Sequence, residues 1–561
     1  MKKPIKLRGN FEPGTPRWAT RRAQWTALGL TDEDMEKPKI AVVNSSSELA
    51  ICFSHLDGIA KVVKETIREA GGLPFEIRTT APSDFIVSAG SVGYILSARD
   101  LIVNDMEIAV EGAQLDGMIC LTSCDKTPPA HMMAAGRFNI PAIIVICGYQ
   151  PAGVYEGRHV DIEDVFLGAT HAAMGKLSPE QLKAMSANAI RGPGVCQGMA
   201  TANTMHVVCE AIGMALPGSA PVLANSPRMF EDARAASRRI VRMVLEDLRP
   251  RTILTPGAFH NAAAAVLAVS GSINAVKHLQ ATAVETGLDL DVFQLFEDLS
   301  REIPVLSAVR PNGDNTIEEF EAAGGARAIL IQLGDLLDLE AMTVTGKTLR
   351  ENLEGVKVAD EEVIRPRGNP FSSKPPIVIL HGSLAPESAI VKLGTSRNRT
   401  LAMTGPAVVF EQGSQASEAL KAGKIESGSI IVVRGDGPKG SPGMGGSAGG
   451  VLFALDALGL SAEIGLVTDG QLSGLCNKGL TVAEVSPEAA VGGPLSLVET
   501  GDTIIIDVEK RQLDLDVPVE VLDRRRVARG EPVLPKLGGY LGIYQRNVQP
   551  MAKGAVLVRS D

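Results

Sequence analysis

The chain has 561 residues, 45% of them apolar and 4% aromatic, with a formal net charge of −10. That length exceeds what one compact core serves, so two or more domains are expected. An acidic balance without a Lys/Arg block, together with so few aromatics, argues against a nucleic-acid backbone partner or a base-stacking surface.

The start, MKKPIKLRGNFEPGTPRW, is basic but has no apolar h-region, and runs such as PAIIVICG are too short to span a bilayer. A cytoplasmic location with no membrane partner is the expectation. KIAVVNSS reads as a strand that ends in a polar loop, and HLDGIAKVVKETIREAGG as an amphipathic helix stopped by Gly. LPFEIRTTAP returns as a strand, SARDLIVNDMEIAVEGAQ as a helix and LDGMICLTS as a buried strand. AHMMAAGRFN is helical, and IPAIIVICG is another buried strand. Alternation of this kind implies a parallel sheet covered on both faces.

Residues 151–370 carry mostly helical patterning, and RPRGNPFSSKPP, 365–376, reads as a boundary. Beyond it come short β-like runs, with only SQASEALKAG and SAGGVLFALDALG clearly helical. The expected fold class is α/β. A parallel-sheet α/β/α domain with added helices covers 1–370, and a smaller β-rich, barrel-like domain covers 377–561.

Ligands in an open α/β sheet bind beyond the carboxyl ends of the strands. Cys124, Asp125 and Lys126 follow LDGMICLTS directly, Cys52 follows the first strand, and Asp84 follows EIRTTAPS. Cys196 lies in the Gly-rich turn GPGVCQGMATANT. Three Cys and two Asp are thereby directed toward one edge. Cys120, Cys147 and Cys209 sit inside apolar runs and read as buried, inert thiols. Seven scattered cysteines do not suggest a disulfide framework, and no CxxC pair offers zinc-ribbon spacing. GDGPKGSPGMGG follows a strand but lacks the phosphate-loop patterns, and TDGQLSG places Ser473 in a tight turn without a nucleophile-elbow motif.

Together these segments resemble the dihydroxy-acid dehydratase and 6-phosphogluconate dehydratase family. The matching pieces run in order: Cys52, PSD at 82–84, SCDK at 123–126, CQGMATANTM at 196–205, SGSINAVKH at 270–278, GSLAPE at 382–387, GPKGSPGM at 437–444, TDGQLSG at 468–474 and VSPEA at 485–489. The resemblance implies a [2Fe–2S] cluster held by Cys52, Cys124 and Cys196. A cluster with only three protein ligands leaves an iron open to act as a Lewis acid on a substrate hydroxyl. It also implies Mg²⁺ near Asp84, Asp125 and Lys126, the lysine carbamylated to an oxygen anion, with Asp436 as a further ligand. Ser473 would be the base, and Asn274 and His278 would face the substrate.

The implied reaction is dehydration of a 2,3-dihydroxy carboxylate to a 2-keto-3-deoxy acid by a homodimer or homotetramer. Three departures bear on the substrate. Asp436 stands where the commonest family form has Glu, LAICFSH replaces a TPCN-like context, and GLCNKG replaces GGTRG. They shift the expectation toward a sugar acid such as gluconate, xylonate or arabinonate. The alternatives are a dihydroxy-acid dehydratase of branched-chain amino-acid synthesis, a non-catalytic iron–sulfur carrier or sensor, and a nucleotide-dependent enzyme using the GDGPKGSPG loop.

Overall fold

Four apolar runs of five or six residues build the first sheet. In the computed structural model, which describes residues 6–90, 93–393, 395, 399–472 and 474–557, they are β1 (Lys39–Asn44), β2 (Leu73–Arg78), β3 (Gly117–Thr122) and β4 (Ala142–Ile146). All pair in parallel in the order β2-β1-β3-β4. Every residue of β1, β3 and β4 is buried, so these strands read as nearly continuous apolar runs rather than as alternation.

The helix Leu56–Glu69 turns Leu56, Ile59, Ala60, Val63 and Ile67 inward at helical spacing. Thr127–Phe138 packs against Asn274–Thr286. Gly136 permits that approach, because a methyl group there would run into Thr286. A hairpin of β5 (Gly153–Tyr155) and β6 (Arg158–Val160) leads into the helix Ile162–Ala173, whose first turn is closed by an Asp161 capping box.

The second sheet has eight strands: β7 (Ile377–Leu380), β8 (Ser388–Lys392), β9 (Ala402–Phe410), β10 (Ile430–Val433), β11 (Gly465–Thr468), β12 (Thr481–Ser486), β13 (Thr503–Asp507) and β14 (Gln512–Asp516). Their order is β14-β13-β9-β10-β11-β12-β8-β7, parallel from β9 to β12 and antiparallel at both flanks. The sheet nearly closes on itself. The His381 N–H donates to the Arg511 carbonyl at 3.0 Å and the Leu513 N–H to the His381 carbonyl at 2.8 Å, joining the end of β7 to β14.

Alternation along these strands feeds two cores. Ile379, Ile390, Ile431, Val433 and Leu466 join the large core that holds the first sheet, while Val378, Leu380, Val391, Val432, Val467 and Val482 enclose a second one. The expected α/β class with a barrel-like C-terminal part is what the chain forms. Two helices in that part, Val519–Arg529 and Gly539–Asn547, were not anticipated. The first buries no residue at all, so it carries no apolar stripe to read. Among the described residues no helix is long and apolar enough to cross a membrane.

Candidate active site

The site begins where β3 ends. Ser123–Lys126 turn into the helix Thr127–Phe138, with Lys126 at its N-cap and prolines in its first turn, where a missing N–H costs nothing. The Thr127 hydroxyl closes this turn from both sides. It accepts from the Ser123 N–H at 2.9 Å and donates to the Cys124 carbonyl at 3.0 Å.

The three cysteine loops are tied down through their backbones. The Ser123 hydroxyl donates to the Cys52 carbonyl. Asn203 Nδ2 donates to the carbonyls of Cys196 and Gly198 at 2.8 and 2.9 Å. His206 Nε2 meets the Ser123 carbonyl at 3.0 Å, and burial lowers this imidazole to about 4, so it is neutral and donates.

The thiols share one neighbourhood. A hydrogen bond with Cys52, then burial, pushes the Cys124 thiol well up, and the charges of Asp125 and Asp84 add to the shift. Cys196 is pushed well up by burial, then by Asp125, Glu163 and Cys52. Burial and the Asp84 charge push Asp125 up to about 7. Lys126 Nζ lies 2.8 Å from Asp84 Oδ2 and 3.8 Å from Asp125 Oδ2. Burial alone would lower this ammonium, but the two carboxylates outweigh it and raise it. Asp84 Oδ1 is buried without a partner among the described residues.

This donor set fits a cationic group. The Cys124 and Cys196 thiols and the Asp125 carboxyl are all pushed up, and a metal centre beside them would reverse that balance. Among the described residues no three His, Cys, Asp or Glu side chains converge as the ligands of a single metal ion do. A cluster of two irons and its own sulfides sets its protein ligands farther apart than one ion does.

Beside these groups lies a cavity of about 130 Å³ whose lining side chains are of two unlike kinds. Asp84, Asp125, Glu163, Asn274 and Gln471 form the polar wall. Phe85, Ile95, Phe166, Phe453, Leu472 and Leu475 form the apolar one, completed by Gly445, Gly446 and Gly449. The rings of Phe85 and Phe166 meet edge-on at 5.5 Å between centroids, and those of Phe166 and Phe453 at 5.2 Å.

The expected substrate residues divide. Asn274 lines the cavity, its Nδ2 donating to Thr201 Oγ1 at 3.0 Å and its Oδ1 accepting from Lys277. His278 does not line it. It is fully buried with Arg99 Nη1 3.3 Å from its Nδ1, and burial, then Arg99, Lys126 and Lys277, hold it well below its usual pKa. Asp436 also stands off the cavity wall, accepting from the Ser447 hydroxyl while its N–H donates to Asp469 Oδ1 at 3.0 Å. Ser473 lies outside the described residues. Leu472 on one side of it lines the cavity, and Gly474 on the other accepts from Lys392 Nζ at 3.0 Å.

Several residues of the site were not legible in the sequence. Glu163 lines the cavity with Oε1 unpartnered among the described residues, and burial pushes its carboxyl well up. Its one signal is Gly198, where a methyl group would strike that carboxyl. Phe85, Phe166 and Phe453 stand on three separate helices and read as ordinary core. Lys277, paired with Glu484 of β12, joins the two sheets' territories across 207 residues.

Cysteine loops at a parallel-sheet edge adjoin, through Asp125, a small cavity shared with a barrel-like second part. The chain belongs to the dihydroxy-acid/6-phosphogluconate dehydratase family, whose N-terminal model matches residues 37–352 and whose C-terminal model matches 362–555. It is similar to a dihydroxy-acid dehydratase of Ignicoccus hospitalis, 40% identical over 97% of this chain and 98% of that one. It is also similar to dihydroxy-acid dehydratases of Methanococcoides burtonii, at 40% over 98% of this chain and 99% of that one, and of Caldicellulosiruptor bescii, at 41% over 96% and 98%.

These relatives overturn the sugar-acid expectation. It rested on three short loops, whereas the likeness to dihydroxy-acid dehydratases runs through nearly the whole chain. The apolar cavity wall gives the physical reason, since a polyhydroxylated chain would leave its hydroxyls without partners against Phe166, Phe453 and Leu475.

Proposed function

We propose that the chain is a dihydroxy-acid dehydratase of branched-chain amino-acid synthesis, removing water from a 2,3-dihydroxy acid such as 2,3-dihydroxyisovalerate. The observation that carries the reading is the mixed cavity lining, carboxylates and an amide together with a larger set of aromatic and aliphatic side chains. With Mg²⁺ between, the acidic groups would take a carboxylate and its hydroxyls, and the apolar ones a branched alkyl group.

In this reading Cys52, Cys124 and Cys196 hold a [2Fe–2S] cluster, and Asp84, Asp125 and a carbamylated Lys126 hold Mg²⁺. When bound, these groups supply Lewis acidity toward the C3 hydroxyl and positive charge for the carboxylate. Asn274, its amide fixed by Thr201 and Lys277, offers the substrate a preset hydrogen-bonding edge. Ser473 Oγ takes the C2 proton. Its hydroxyl is ordinarily far too weak a base, so it depends on charge and dipoles around its loop. Lys392 Nζ holds the adjacent Gly474 carbonyl, and the Asp469 carboxylate anchors the loop's start by accepting from the N–H groups of Gly435, Asp436 and Ala489 at 3.1, 3.0 and 2.8 Å. As the C2–H bond is lost to Ser473, the C3–O bond breaks, the departing hydroxyl takes up that proton and leaves as water, and the enol's O–H proton moves to C3 to give the 2-keto acid.

The test is an anaerobic assay of 2-keto acid formation with Mg²⁺, on D-gluconate, D-xylonate, L-arabinonate, 6-phosphogluconate and 2,3-dihydroxyisovalerate, with the visible spectrum recorded on the same sample. Turnover of dihydroxyisovalerate well above the aldonates is expected. Ser473→Ala should keep the visible absorption and lose about 10²–10⁴-fold in rate. A preference for aldonates, or a coloured protein that turns over nothing, would sink the reading.

A further inference from the structure

One glycine of the cavity has no structural reason to be glycine. Gly449 is the third residue of the helix Ser447–Leu458, buried and on the cavity wall. Its backbone is ordinary helix rather than left-handed, unlike that of Gly446 at φ +74°. Among the described residues no neighbour crowds it, since a methyl group there would meet only Cys476 Sγ, at 3.9 Å. Gly136 and Gly198 differ, each being pressed against another side chain. Glycine inside a helix is unfavourable relative to alanine. What its missing side chain leaves is open cavity beside Phe453, four residues on and hence on the same helix face.

We propose that Gly449, with Phe453 and Phe166 opposite, sets the size of the alkyl group accepted at C3 of the substrate. The inference rests on the dihydroxy-acid reading above. The polar wall of Asp84, Asp125 and Asn274 fixes the carboxylate end, which directs the C3 substituents at the aromatic pair. Phe453 is 1% exposed and held edge-on by Phe166, so it forms a firm back wall, and Gly449 is where added volume enters. An apolar pocket discriminates one methylene by roughly 10–200-fold. Filling the Gly449 space should therefore act on the larger acid first.

The experiment measures kcat/KM of the anaerobically purified holoenzyme for two 2,3-dihydroxy acids, one with two methyl groups at C3 and one with a methyl and an ethyl group. Gly449→Ala should lower the ethyl-to-methyl ratio by about tenfold, and Gly449→Val should lower it further. Phe453→Leu, which adds room, should raise it. Calorimetric binding of 2-hydroxy-3-methylbutanoate and 2-hydroxypropanoate gives a readout that needs no turnover. Gly449→Val should weaken the first more than the second. A wild-type enzyme that uses both alkyl acids, with a ratio unmoved within twofold in all three variants, overturns this inference and leaves the parent reading standing. A wild-type enzyme that rejects both alkyl acids and uses aldonates overturns both.

Discussion

The two walls of the cavity obey different rules. Around the polar wall each group's protonation depends on its neighbours: Asp84 and Asp125 raise Lys126 next to it, Asp84 raises Asp125, and both raise Cys124 in the adjoining loop. No member can be removed there without leaving a buried partner uncompensated. On the apolar wall Phe85, Phe166 and Phe453 touch edge to edge beside glycines with open space, so volume can be added at a graded cost. In the proposed reading, chemistry falls to the first set of groups and substrate choice to the second.

The largest break should come from the cysteine loops beside the polar wall. Cys124→Ser is expected to abolish the visible absorption, the bound iron and the dehydratase activity together, checked by an iron assay and spectrum on the same preparation. A colourless variant with full activity would refute the cysteine assignment.

Next comes the clamp behind Asn274. Lys277→Met leaves the Glu484 carboxyl fully buried and without its ion-pair partner, its Oε2 already without a partner among the described residues. The expected loss is about 3–5 kcal/mol in urea denaturation, and Lys277→Met with Glu484→Leu should recover most of it. An unchanged midpoint in the single variant would show that the pair does not tie the two parts together.

The smallest effect is a pH dependence at Lys392, which donates to the Gly474 carbonyl. Burial lowers Lys392 to about 8 from an ordinary value of 10.5. Between those values the unfolded chain keeps a proton that the folded chain has released, so this group makes stability rise with pH across that window. The full rise is on the order of 3 kcal/mol, and Lys392→Met should remove it. A wild-type slope that survives in Lys392→Met would assign the titration elsewhere.

The polar wall was largely legible because its signals are local. Cys124, Asp125 and Lys126 are neighbours at a strand end, and a parallel sheet directs all such ends to one edge. The sequence could not show that His278 sits on a helix that buries almost every residue and meets Arg99. Nor could it show that the Asp436 loop folds onto Ser447. Phe166 and Phe453 carry no local mark, since an aromatic residue at helical spacing packs equally well in any core.

The amino-acid sequence by itself determined the α/β class, the barrel-like second part, the family and the residues at the strand ends, because each follows from short-range patterning or from motifs in order. Tertiary structure alone decided which helices face the cavity, that its far wall is apolar, and that Lys277 meets Glu484. Those are contacts between distant segments, set by how layers pack and by which polar groups must find partners once buried, and no local pattern records them.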